Sequence, residues 1–158
     1  MKKIIMGFML SMAVIVSAHA VDFKWMNDKG EIHALSQDYK HQPVLVHVWA
    51  SWCGPCRAEM PEMSAWLKQH PEVKVVPVSL DSNLETAQAF LKSQGIDLPA
   101  LLTDQQQAGY LGIRGLPTTI LVDGGGNMVE RRVGMQDWSY PAWSHKVLAL
   151  FTKKTVVN

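Results

Sequence analysis

The sequence predicts an α/β domain, with a mixed central sheet flanked by helices on both faces and an N-terminal β-hairpin extension. Two apolar runs rich in β-branched residues, Val44 to Ala50 and Val73 to Leu80, are separated by a segment of helix length. That is the pattern of two parallel strands joined by a crossover. Further on, Thr119 to Val122 and Met128 to Val133 flank Asp123-Gly124-Gly125-Gly126-Asn127, which reads as a flexible hairpin loop between antiparallel strands. Gly134 breaks the second of these, and Asp137 to Phe151 is expected to close the fold as a helix.

The chain has 158 residues, 47% hydrophobic and 18% charged, which suits one domain with a core of its own. No repeat, low-complexity stretch or linker divides it. Residues 1–20 read as a signal peptide: Lys2-Lys3, an apolar run from Ile4 to Val16, and Ala18-His19-Ala20 as a small-x-small cleavage site before Val21. The alternative is an uncleaved anchor in the inner membrane facing the periplasm. The apolar run is short of the roughly 20 residues that span a bilayer, so cleavage and a soluble periplasmic domain over 21–158 are expected. The formal net charge is +1, and loss of Lys2 and Lys3 leaves 13 basic against 14 acidic residues. A near-neutral domain has no general attraction to nucleic acid or anionic lipid, so recognition must be local.

In chain order, Val21 to Met26 is expected as an edge strand, Asn27-Asp28-Lys29-Gly30 as a turn, and Glu31 to Leu35 as the returning strand. Ser36 to Tyr39 reads as a helical turn ended by Gln42-Pro43. From Gly54 to His70, residues Cys56, Met60, Met63 and Leu67 fall on one helical face. Pro61 inside that helix removes a donor and predicts a kink. Pro77 is awkward for a central strand and predicts a locally unpaired position in Val73 to Leu80. Asp81-Ser82-Asn83 offers N-caps to a helix over Leu84 to Gln94, stopped by Gly95. Leu98 to Leu102 is a short strand or rim segment, and Gln105 to Leu111 a short helix.

The chemistry concentrates at the end of the first apolar run. Cys53 and Cys56 are the only two cysteines, and they sit where a strand hands over to a helix. A disulfide across two residues closes a very small loop, so it stabilises little and its tight geometry favours reduction. That argues for redox work over a structural staple. A zinc site would need histidines at ligand spacing, and His33, His41, His47, His70 and His145 are scattered, so no metal is expected. The helix N-terminus presents free N–H groups and partial positive charge that favour a thiolate. Cys53 is therefore the expected nucleophile, and Cys56, a turn deeper, the resolving thiol. Gly54 leaves the approach open and Pro55 suits the first turn. Glu59, three residues after Cys56, and His47, on the strand, are rival proton acceptors; the alternatives are a solvated surface Glu and a satisfied core His. Trp52 is expected to rim the thiols. Trp49, Trp25, Trp138 and Trp143, and the methionines of the first helix, read as packing.

These residues also carry a resemblance. Trp52-Cys53-Gly54-Pro55-Cys56 resembles the active-site motif of thioredoxins, Pro61 matches that family's kink proline, and Leu116-Pro117-Thr118 is similar to its cis-proline loop. The run from Cys53 to Pro61, the N-terminal hairpin and Gly112 to Thr119 resemble the exported TlpA/ResA branch. Relatives of the CcmG/DsbE type, which serve cytochrome c maturation, carry a Glu soon after the cis-proline, where this chain has Thr118-Thr119. The resemblance implies a thioredoxin-like fold and a thiol–disulfide oxidoreductase that needs no cofactor. It implies Leu116 and Pro117 as a docking wall for protein disulfide substrates, and a membrane thiol donor for re-reduction. It places His47 where thioredoxins keep a buried acid. A monomeric reductant is expected; an oxidant or isomerase of folding proteins, or a non-catalytic binding or metal-delivery module on the same fold, are the alternatives.

Overall fold

The computed structural model describes residues 22–152, so the expected signal peptide and the last six residues lie outside the described region. Within it run β1 (Lys24–Met26), β2 (Ile32–Ala34), α1 (Leu35–Asp38), β3 (Val44–Trp49), α2 (Gly54–Gln69), β4 (Val75–Ser79), α3 (Leu84–Ser93), β5 (Leu101–Leu102), α4 (Gln105–Tyr110), β6 (Thr118–Val122), β7 (Met128–Val133) and α5 (Pro141–Thr152). The strands form one seven-stranded sheet in the order β2-β1-β5-β4-β3-β6-β7. β3 pairs parallel with β4 and antiparallel with β6, so the sheet is mixed as expected.

All six residues of β3 are buried, and alternation divides them between two cores. Leu45 and Trp49 face the layer containing Met60, Met63, Phe90, Trp138 and Trp143. Val44, Val46 and Val48 face the opposite layer with Phe23, Trp25, Leu35 and Leu111. A strand sandwiched this way is rigid, which suits the residues at its C-terminal end. The expected apolar face of α2 is real, with Cys56, Met60, Met63 and Leu67 all buried.

Several expectations need correcting. β1 is not an edge strand: it lies between β2 and β5, and β2 is the edge. The reason is β5, a two-residue strand within the expected Leu98 to Leu102 segment, which pairs with β1 at Met26–Leu102. α5 begins at Pro141 rather than Asp137, because the residue before a proline is disfavoured in helical conformation. Residues 137–140 form a turn instead, in which Tyr140 N–H donates to Asp137 O and Asp137 Oδ1 accepts from Ser139. The glycine-rich hairpin is not loose, since Asp123 Oδ1 accepts from the N–H groups of Gly125 and Asn127.

Pro77 sits inside β4, paired with His47 of β3. Leu80 N–H donates to Trp49 O on the β3 side, whereas Ser79 O accepts from Thr103 N–H on the β5 side. By alternation the missing N–H of Pro77 points toward β5, whose pairing starts only at Val78. The proline therefore costs no ladder bond. α3 ends as read: Gly95 has φ 62° and Ile96 N–H donates to Leu91 O, a Schellman closure.

Candidate active site

The chain leaves β3 at Trp49 and enters α2 at Gly54 through a tight turn in which Cys53 N–H donates to Ala50 O. Asp81 holds this turn from the neighbouring strand end. Its carboxylate accepts from Ser51 N–H at 3.1 and 3.2 Å, from Ser51 Oγ at 2.7 Å and from Ser79 Oγ at 2.6 Å. Asp81 read in sequence as one of three polar cap candidates, but the cap of α3 is Asn83, which accepts from Thr86 N–H. Asp81 is instead buried beneath the dithiol turn. Its position just past β4, parallel to β3, was the available signal, because adjacent parallel strands bring their C-terminal ends together. Asp81→Ala would leave the Ser51 and Ser79 donors unpaired, and is expected to lower stability by about 3 kcal/mol in denaturant unfolding.

Cys53 is the N-cap of α2, and its Sγ accepts from Cys56 N–H at 3.2 Å. The two cysteines are joined as a disulfide. Cys53 is 7% exposed and lines the cleft beside it, whereas Cys56 is 0% exposed and does not. Gly54 and Pro55 are exposed beside it, and a Cβ on Gly54 would meet nothing within 4 Å. Trp52 stands 68% exposed at the rim.

The Leu116–Pro117 peptide bond is cis. Leu116 lines a cleft of about 520 Å³ together with Trp52, Cys53, Leu80, Ile113 and Arg114. Leu80 and Gln105 also line a second pocket of about 620 Å³, walled by Trp25, Met26 and Ile32 of the N-terminal hairpin.

The two rival proton acceptors are both wholly buried. His47 Nδ1 lies 3.0 Å from Thr119 Oγ1, while Nε2 has no partner. Burial pushes its pKa down to about 3, so the imidazole is neutral. Glu59 is not the solvated surface residue of the alternative reading. Its Oε1 accepts from Trp138 Nε1 at 2.8 Å and from Gln136 N–H at 3.2 Å, and Oε2 has no partner. Burial raises its pKa to about 7, against the two hydrogen bonds and with help from the nearby Glu62 charge. Trp138 read in sequence as packing only. Nothing local could have paired it with Glu59, 79 residues earlier.

A redox pair at the start of a helix, facing a cis-proline loop across a cleft on a mixed sheet, defines the class: a thioredoxin-like thiol–disulfide oxidoreductase. The AhpC/TSA family model matches residues 16–131, and the chain belongs to that family. It is similar to the thiol-disulfide oxidoreductase ResA of Geobacillus thermodenitrificans, 31% identical over 119 residues that cover 73% of this chain and 68% of ResA. The thioredoxin-like protein YneN of Bacillus subtilis is 32% identical over 119 residues, covering 73% of this chain and 69% of YneN. Among solved structures, a Chlorobium tepidum protein assigned as thiol:disulfide interchange protein DsbE superposes with a TM-score of 0.69 at 31% identity, over 84% of this chain and 94% of that one.

Proposed function

We propose that the chain is a periplasmic reductant of protein disulfides, exported by cleavage after residue 20 and working through a Cys53/Cys56 cycle. The observation that carries this reading is the contrast between Cys53, which lines the cleft, and Cys56, which is wholly buried behind it. An outer thiolate that a substrate can reach and an inner thiol that it cannot are what ordered exchange requires.

In the reduced protein, Cys53 thiolate attacks one sulfur of the substrate disulfide. That bond breaks, a mixed disulfide forms, and the first substrate cysteine leaves as a thiolate that takes a proton. Cys56 then loses its proton and attacks Cys53 Sγ. The mixed disulfide breaks, the second substrate thiolate leaves, and Cys53–Cys56 is the oxidised product. Two electrons pass to the substrate and no cofactor is needed. A membrane thiol donor restores the dithiol.

Glu59 is the better proton acceptor for Cys56. It lies one helical turn along α2 with a free buried oxygen, and its pKa of about 7 allows ionisation near neutrality. His47, held near 3, is a weak base at the pH of the reaction. The substrate chain runs extended along the Leu116–Pro117 backbone, between that wall and Trp52, with Gly54 and Pro55 clearing its path. The Gly-Pro pair between the cysteines, through its resemblance to reducing thioredoxins, supports the reductive direction.

The test is trapping in the native compartment. Cys56→Ala protein recovered from the periplasm should begin at Val21 and carry disulfide-linked proteins on Cys53, released by dithiothreitol. Protein that keeps residues 1–20, or that captures nothing through Cys53, contradicts the proposal.

A further inference from the structure

Glu59 and the proline loop are joined by one short connection. Gly134 N–H donates to Pro117 O at 2.8 Å. Two residues on, Gln136 N–H donates to Glu59 Oε1, and its side-chain amide turns back to Gly134 O at 2.8 Å. Two residues further, Trp138 Nε1 donates to the same Glu59 oxygen. Trp138 is 1% exposed, with its ring centroid 5.1 Å from that of Trp66 and 5.8 Å from that of Trp143. An indole clamped between two others has little freedom, so its N–H is a fixed donor. The carboxyl of Glu59 is thereby held by one oxygen while the other, also buried, is left without a partner.

We propose that Trp138 is a positioning residue for disulfide exchange: its indole N–H fixes the Glu59 carboxyl so that the second oxygen is free for the Cys56 proton, and the Gly134–Trp138 connection ties that carboxyl to the docking loop at Pro117. This rests on the reading of Glu59 as the proton acceptor. The indoles of Trp49 and Trp66 donate to a backbone carbonyl and a hydroxyl, whereas that of Trp138 donates to a buried acid. The donor acts by favouring the ionised carboxylate, against burial and the Glu62 charge. Glu62, also on α2, is the one charged group that bears on the titration. From the connection itself come the uncharged donors Gln136 and Trp138, while Asp137 is exposed.

Two replacements separate the N–H from the packing. Trp138→Phe removes both the donor and part of the ring. Incorporation of 3-benzothienylalanine at position 138 keeps the bicyclic shape and removes the N–H alone. In the oxidised protein, carboxyl carbon NMR, assigned with Glu59→Gln, reads the Glu59 midpoint. Stopped-flow decay of a preformed mixed disulfide on Cys53 reads the pH profile of the resolving step.

Both replacements should raise the Glu59 midpoint by about one pH unit, since a hydrogen bond to a charged group is worth roughly that much. The resolving profile should move up with it. An unmoved midpoint in the benzothienylalanine protein overturns the positioning role. A moved midpoint with an unmoved profile overturns its link to exchange. Failure of the acceptor reading looks different: Glu59→Gln would leave the resolving profile unchanged, while the midpoint shift in the Trp138 proteins would persist.

Discussion

Cys53→Ala is expected to reduce disulfide exchange by at least about a thousandfold, because the thiol it leaves, Cys56, is wholly buried. Cys56→Ala should fail differently. Its first step, measured as adduct formation with a disulfide-bonded peptide under pseudo-first-order conditions, should proceed, and the adduct should then persist because nothing resolves it. The order follows from burial: Cys53 caps the helix at the floor of the cleft, and Cys56 lies wholly behind it. If Cys56→Ala formed no adduct while Cys53→Ala did, the two roles would be exchanged.

The second large effect is on stability against pH, and it comes from two buried groups of opposite sign. His47 has a folded pKa of about 3, below its ordinary 6.5. The native state therefore resists protonating it, and the stability present above pH 6.5 is lost as the pH falls toward 3. The whole window is worth about 5 kcal/mol. Glu59 has a folded pKa of about 7, above its ordinary 4.5. Its contribution is present below pH 4.5 and is lost as the pH rises through 7, about 3 kcal/mol in all.

Between pH 4.5 and 6.5 the two slopes oppose, so the oxidised protein should show little net pH dependence from this pair. Each single substitution unmasks the other group. Relative to the parent, Glu59→Gln should steepen the loss of stability on acidification from pH 6.5 to 4.5. His47→Leu should make stability decline with rising pH over the same interval. Urea unfolding at pH 4.5, 5.5 and 6.5 measures both. Parallel curves for parent and variants would show that neither group is held away from its ordinary pKa.

The parts of the site that could be read in the sequence are those that local spacing encodes. The Cys53–Cys56 pair at a strand-to-helix junction needs only a β-branched run, a turn and an apolar helical face, all within Val44 to Leu67. The proline loop was legible through its resemblance to a known motif. What escaped was set by contacts across the fold. Asp81 looks like a cap in sequence, and becomes an anchor only when β4 is laid beside β3. Trp138 looks like a core residue, and its N–H acquires a purpose only when the connection after β7 returns over α2. The order of the short strands was hidden for another reason. Leu98 to Leu102 reads as a strand or rim segment, but the two residues of β5 carry no signal of which strand they pair with, so the place of the N-terminal hairpin in the sheet is not inferred from sequence.

Reduction of protein disulfides by the Cys53–Cys56 pair is tested most directly by its equilibrium against glutathione, read as the oxidised fraction by thiol alkylation and mass. A dithiol that reduces protein disulfides should have a potential at or below about −200 mV, toward the thioredoxin value of about −270 mV. A potential near the about −120 mV of a strong disulfide donor, or a pair that does not respond to the buffer, would contradict it.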